Sequence, residues 1–113
     1  PTSISLSQNY PNPFNPSTKI KFSLPEQMKV KIDVVDVTGS IVSILADGIE
    51  SAGNHELTFD ASHLSSGLYF ARLITPSGLH IQKMMLISSG ITMGILMYRI
   101  IVSIDMQKII LTR

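Results

Sequence analysis

The stretch KIKFSLPEQMKVKIDVV, residues 19–35, alternates apolar and polar side chains in two runs that are separated by a proline. Ile20, Phe22 and Leu24 share one side of the first run, and the second run repeats this plan. A period of two residues is typical of a strand with one buried face, and Pro25 cannot donate a backbone hydrogen bond to a neighbouring strand. The stretch therefore predicts two consecutive half-buried β-strands.

Similar short runs, bounded by turn residues, fill the rest of residues 1–87. Further strands are predicted at residues 4–6, 42–46, 55–59, 68–75 and 80–87, with turns at residues 36–39, 47–48 and 76–78 and a Ser-rich loop at residues 60–67. No amphipathic helix of useful length occurs. About seven short strands with regular turns favour an all-β, immunoglobulin-like β-sandwich.

Three prolines stiffen the loop between the first two strands. Pro11, Pro13 and Pro16 each fix their own φ and move the preceding residue away from helical geometry. Phe14 lies in the middle of this loop, and burial of a phenylalanine is worth roughly 1.5 to 3 kcal/mol. We expect Phe14 to plug one end of the sandwich.

The composition excludes several classes of function. A length of 113 residues fits one domain, and a net charge of +1 is too small for the basic surface that nucleic-acid binding needs. The absence of cysteine excludes disulfides and cysteine-based zinc sites. The chain begins at Pro1 without the pattern of a signal peptide, and we interpret it as a piece of a longer protein.

No residue pattern predicts catalysis or a bound cofactor. The three histidines are isolated from other metal ligands, and no Gly-x-Ser-x-Gly motif exposes a serine nucleophile. Asp33 and Asp36 are interpreted as a solvated strand end rather than a calcium site. The residues alone therefore predict a β-sandwich module with no metal, no cofactor, no small-molecule substrate and no enzymatic activity.

Ordered sequence blocks resemble a known family. They are LSQNYPNPFNPST at residues 6–18, FSLP at 22–25, VVDVTG at 34–39, AGNH at 52–55, FD at 59–60, LSSGLYFARL at 64–73 and KMMLI at 83–87. In this order they closely resemble the type A C-terminal sorting domains of the type IX (Por) secretion system, over about residues 5–87. At two positions, Val35 and Ser40, the chain departs from residues that are common in the family.

The resemblance implies an export signal. Such domains follow a cargo protein of Bacteroidota and related bacteria, which reaches the periplasm through its own signal peptide. An outer-membrane translocon recognises the sorting domain, a sortase-like peptidase then usually removes it, and the cargo is secreted or joined to the cell surface. The partners expected here are the translocon, the peptidase and an upstream cargo domain in the same polypeptide.

The resemblance also assigns motif positions. Those expected to shape the fold are Pro11, Pro13, Phe14, Pro16, Asp36 and Gly39, and those expected to take part in sorting recognition are Ser66, Gly67, Tyr69, Arg72, Lys83, Met84 and Leu86. The two glycines have a simpler interpretation as backbone positions, and Tyr69 as a core residue. Lys83 is the better recognition candidate, because a lone cation in an apolar last strand has no packing role.

The last 26 residues differ from the rest. Residues 1–87 carry a net charge of −1, whereas residues 88–113 carry +2 and contain seven isoleucines. This apolar tail adds one or two strands to the sandwich, or associates with a membrane, or is a non-native run that follows a frameshift or read-through. Family members usually end at the final apolar strand, so the tail could impair recognition if a free C-terminal strand is required.

A second function remains open at this point. The chain could be an immunoglobulin-like adhesion or carbohydrate-binding module of a cell-surface protein. Sugar-binding modules usually expose aromatic side chains, yet the sequence contains no tryptophan and only three tyrosines.

Overall fold

The computed structural model describes residues 1–87, which form seven strands and no helix. The strands are β1 (Ser5–Leu6), β2 (Ser17–Leu24), β3 (Met28–Val35), β4 (Ile41–Glu50), β5 (Gly53–Asp60), β6 (Gly67–Thr75) and β7 (Gly78–Leu86). Within this part of the chain no helix is long and apolar enough to cross a membrane. The predictions that concern residues 88–113 lie outside the described residues.

The strands form two antiparallel sheets. One has the order β1-β2-β5 and the other the order β4-β3-β6-β7. Consecutive strands pair in β1-β2, β3-β4 and β6-β7, whereas the connections from β2 to β3, from β4 to β5 and from β5 to β6 cross between the sheets. The predicted all-β sandwich is confirmed.

The core lies between the sheets and is built from the alternate residues that the sequence pattern singled out. In β2 and β3 the inward side chains are Ile20, Phe22, Leu24, Val30, Ile32 and Val34, and all are buried. β5 contributes Phe59 and β6 contributes Ala71 and Leu73 to the same cluster. The period of two therefore places one apolar side of each strand in a shared interior.

The turn after β3 is confirmed. Gly39 has φ of 86°, a conformation that glycine adopts without a steric penalty. The Gly39 amide donates to the Asp36 carbonyl at 3.0 Å. The Asp36 carboxylate accepts hydrogen bonds from Thr38 and Ser40, and these bonds lower its pKa, with the Thr38 hydroxyl as the largest cause.

The turn predicted at residues 47–48 is wrong. Asp47 and Gly48 lie inside β4, where they pair with Lys31 and Val30 of β3. If β4 ended at residue 46, the first residues of β3 would lose their partners on this side, so pairing overrides the local turn preference of an Asp-Gly pair.

Candidate recognition surface

β6 and β7 form a continuous two-stranded ribbon. Their pairing runs from Gly67 opposite Leu86 to Thr75 opposite Gly78, and it places Phe70 opposite Lys83. The two blocks that the family resemblance identified, one around residues 66–72 and one around 83–87, are therefore neighbours in space. Because side chains alternate across a sheet, the ribbon divides them between the core and the outer surface.

Three of the predicted recognition residues face the core. Tyr69 is 7% exposed, Met84 is fully buried and Leu86 is 1% exposed. The Tyr69 hydroxyl donates to the Ser65 carbonyl at 2.6 Å, and burial together with the charge of Asp36 raises its pKa. A tyrosine at the start of this strand that bonds to the backbone just upstream is the tyrosine corner of immunoglobulin-like folds.

Arg72 lies on the outer side of the ribbon and binds Asp33 of β3. Its Nε donates to Asp33 Oδ1 at 2.7 Å and its terminal nitrogen donates to Oδ2 at 2.6 Å. Asp33 is 0% exposed, so the interpretation of this residue as part of a solvated strand end is wrong. Asp33 and Arg72 face each other in the β3–β6 register, which is why the carboxylate is buried beneath a guanidinium whose pKa it raises.

Lys83 is exposed on the same side of the ribbon. Among residues 1–87, no carboxylate lies within 4.0 Å of its ammonium group. In this it differs from Arg72, whose guanidinium binds Asp33.

A strap formed by residues 8–14 covers the outer edge of β7. Gln8 donates to the Lys83 carbonyl at 3.0 Å, and the Asn12 side chain accepts from the Met85 amide at 3.0 Å. The Phe14 amide donates to the Met85 carbonyl at 2.9 Å. The end of the last strand is thus closed by the chain itself.

Phe14 anchors this strap. Its side chain is 2% exposed, and its ring centroid lies 5.9 Å from that of Phe59. The Ile87 amide donates to the Phe14 carbonyl at 2.9 Å. The predicted burial of Phe14 is confirmed, and the proline-rich loop between Pro11 and Pro16 holds it against the end of β7.

The remaining motif positions lie around the start of β6. Ser66 immediately precedes the strand and is half-buried. Gly67 has φ of 153°, a backbone conformation that side chains rarely adopt. Both residues thus belong to the crossing from one sheet to the other.

Sequence reasoning missed the strap contacts and an apolar outer surface. Ile41, Ile44 and Ile49 of β4 are exposed, together with Leu79 and Ile81 of β7. The sequence of β4 does not show which isoleucines face outward, because two register shifts in the pairing of β4 with β3 break the period of two. Nothing in the local pattern distinguishes Gln8 and Asn12 from ordinary polar loop residues.

Curated proteins gave no match. Among solved structures, a chain reported under the heading of PorZ, an essential bacterial surface component of the type IX secretion system of Porphyromonas gingivalis, is similar with a TM-score of 0.48 and 18% identity. The similarity covers 74% of this chain and only 11% of that chain.

A family model gives the assignment. The model described as "Secretion system C-terminal sorting domain" matches residues 8–88, a span that begins in the strap and extends just past β7. It therefore includes the ribbon, the tyrosine corner and the Asp36 turn. The chain belongs to the family of secretion system C-terminal sorting domains, and it is a sorting signal of type IX secretion, by which an upstream cargo is exported to the cell surface or secreted.

Proposed function

We propose that the outer-membrane translocon recognises the outer side of the β6–β7 ribbon, with Lys83 as the principal contact. The observation that carries this proposal is the register of the ribbon, which brings the two family blocks together and leaves the Lys83 ammonium exposed and without a carboxylate among residues 1–87. An exposed cation can pair with a carboxylate of a partner, and such pairs guide association and fix register.

In this proposal the recognition residues divide into two groups. Lys83 and Arg72 contribute to the contact surface, whereas Tyr69, Met84 and Leu86 shape it from the core side. Ser66 and Gly67 set the start of the ribbon. The buried residues then act on export through the stability and geometry of the domain.

The route of export is part of the same proposal. The cargo passes through the periplasm, the translocon binds the folded sorting domain, and a sortase-like peptidase removes the domain after passage across the outer membrane. The domain itself contributes binding and no catalysis. The family membership supports this route, because a C-terminal sorting signal requires an upstream cargo and a secretion machinery that reads it.

The test is export of a fluorescent reporter. The full 113-residue chain is fused behind a signal peptide and the reporter in a type IX-competent host, and secreted and periplasmic fluorescence are compared. Lys83→Glu should reduce secretion about tenfold, which corresponds to the loss of roughly 1.4 kcal/mol of binding free energy. The reporter should accumulate in the periplasm.

Lys21→Glu is the matched control. Lys21 is exposed on the outer side of the three-stranded sheet, opposite Glu56. Lys21→Glu therefore places two carboxylates opposite each other, and the charge repulsion within the domain is at least as large as in Lys83→Glu. Both variants should keep the unfolding temperature of the original domain within about 3 °C. Unchanged secretion of Lys83→Glu would refute the role of the ribbon.

A further inference from the structure

The two outer surfaces of the sandwich differ in chemistry. On the three-stranded sheet the outward residues are polar, and Lys19 binds Glu56 there at 3.0 Å, a contact that lowers the pKa of Glu56. On the four-stranded sheet five large apolar side chains are exposed on the edge strands, together with Lys29, Asp47 and Lys83. We call the outer side of the four-stranded sheet the apolar face and define it by Ile41, Ile44, Ile49, Phe70, Leu79 and Ile81.

The apolar face extends across all four strands, with the exposed isoleucines on the edge strands β4 and β7 and with Lys31, Asp33 and Arg72 between them. One cross-strand row runs from Ile41 through Val35 and Phe70 to Lys83. The next row has Ile44 and Ile81 at its two ends and the Asp33–Arg72 pair at its centre. Exposed isoleucines on β4 therefore continue the surface on which Lys83 lies, about 14 Å away at a strand spacing of about 4.8 Å.

The charges on the apolar face are unbalanced. Lys29, Lys31, Arg72 and Lys83 lie on it together with two acidic residues, Asp33 and Asp47. The other surfaces of residues 1–87 carry two basic and five acidic residues. The face is thus positive on a domain whose net charge is negative, and it complements a surface that carries carboxylates.

The size of the face bears on the kind of partner. Four strands and about eight residues along each strand define a face of roughly 500 Å². A stable dimer usually buries about 800 Å² on each partner. Two copies would also bring two positive faces together. Both arguments disfavour a second copy and favour a transient heterologous partner.

A protein partner fits better than a lipid surface. The centre of the face contains the Asp33–Arg72 ion pair, and a hydrocarbon layer offers no acceptor to the remaining guanidinium donors. A protein surface can place carboxylates next to Arg72 and Lys31 while its apolar side chains cover the isoleucines.

We infer that the apolar face docks a protein surface that covers the exposed isoleucines with apolar side chains and places Asp or Glu carboxylates next to Arg72, Lys31 and Lys83. The inference rests on the proposed function, since it extends the recognition surface from the β6–β7 ribbon to β4 and states the chemistry of the translocon component that binds it. Exposed apolar patches of a few hundred Å² on a protein surface often mark a contact site.

Two substitutions at Ile41 test the inference in the reporter assay. Ile41 is 47% exposed and pairs with Val35, so neither Ile41→Asp nor Ile41→Lys places a charge opposite another charge. Both remove the apolar contact, but only Asp is repelled by the carboxylates of the partner. Secretion should fall about tenfold more for Ile41→Asp than for Ile41→Lys, and Thr58→Asp on the polar face should leave it unchanged.

Site-specific photocrosslinking identifies the occupant. Benzoylphenylalanine is introduced at positions 41, 81 and 58 of the full chain in the secreting host, and the crosslinked peptides are sequenced. Positions 41 and 81 should crosslink to one partner segment that contains both apolar and acidic residues, and position 58 should not. Crosslinks to residues 88–113, to a second copy or to lipid would overturn the inference.

The two proposals can fail separately. Loss of secretion in Lys83→Glu with normal secretion in both Ile41 variants would overturn the wider docking face and leave the ribbon in place. Equal losses of secretion in Ile41→Asp and Ile41→Lys would refute the inference that the partner places carboxylates next to this face. Thermal unfolding of each purified variant within about 3 °C of the original domain excludes misfolding as the cause.

Discussion

The Asp33–Arg72 ion pair contributes to the stability and the strand register of the four-stranded sheet. The carboxylate is fully buried, and both of its oxygens accept charge-assisted hydrogen bonds from one guanidinium. Lys31 lies 3.9 Å from Oδ2 and adds a second positive charge. The pair is a cross-strand contact between β3 and β6, so it also fixes the register of the two central strands.

Removal of Arg72 should be far more harmful than removal of the whole pair. Arg72→Ala leaves a buried carboxylate without its main partner and should lower the free energy of unfolding by about 3 kcal/mol. The double variant Asp33→Ala with Arg72→Ala should recover most of this loss, because no buried charge is left. Urea unfolding of the four members of the cycle gives the coupling energy.

The same cycle separates stability from recognition. A double variant that is as unstable as Arg72→Ala alone would contradict the assignment of the loss to the buried carboxylate. If the double variant is stable yet poorly secreted, Arg72 contributes directly to the contact surface.

At the scale of the elements, the strap links the beginning of the domain to its end. Residues 8–14 hydrogen bond to the outer edge of β7 near Lys83 and Met85 and bury Phe14 against Phe59. An open strand edge is a site for unwanted pairing with other chains, and the strap closes this edge at its last residues. At these residues the backbone of β7 therefore bonds to the strap, while the side chain of Lys83 stays exposed on the outer side of the sheet.

Phe14→Ala should lower the free energy of unfolding by about 3 to 5 kcal/mol, since it opens a cavity between the strap and β7. Tyr10→Ala in the same loop is the control. Tyr10 is 80% exposed, and its truncation should change the free energy by less than about 0.5 kcal/mol.

Chemical denaturation followed by circular dichroism measures both variants. A loss of less than 1 kcal/mol in Phe14→Ala would show that the strap contributes little to the fold. Faster hydrogen exchange at the amides of Met85 and Ile87 in this variant would confirm that the anchor holds the strap on β7.

At the scale of the whole molecule, the sandwich is asymmetric. One sheet presents a polar outer surface and the other an apolar, positive one, while the core between them is continuous from Leu6 to Leu86. The strap, the tyrosine corner and the ion pair all lie on or beside the four-stranded sheet. The interactions that specify this domain are thus concentrated on the side where recognition is proposed.

We predict that residues 1–87 are a complete folding unit. The strap and the seven strands of the described part of the chain pack into one core, so a chain that ends at Ile87 should unfold cooperatively with a free energy within about 0.5 kcal/mol of the full chain. Thermal and urea unfolding of the two chains provide the comparison. A deficit above 2 kcal/mol in the shorter chain would show that residues 88–113 contribute to the fold.

The strands were predictable because each needs only a local pattern. Alternation in β2 and β3, and the glycine of the turn at Gly39, follow from side-chain direction and backbone sterics within a few residues. The length of β4 was not predictable, because Asp47 and Gly48 stay extended only through pairing with β3. Likewise, the burial of Asp33 depends on an arginine 39 residues away in the chain.

The recognition surface likewise combines features that follow from a local sequence pattern with features that depend on strand pairing. Sequence by itself determined the family, the seven strands, the buried Phe14 and the choice of Lys83 as an exposed cation, since these depend on motifs and on a period of two. Only the tertiary structure decided that Met84 and Leu86 face the core beside Tyr69, that the strap closes the end of β7, and that isoleucines from β4 and β7 share one positive face. These features arise from the pairing of strands distant in sequence, and no local pattern contains that information.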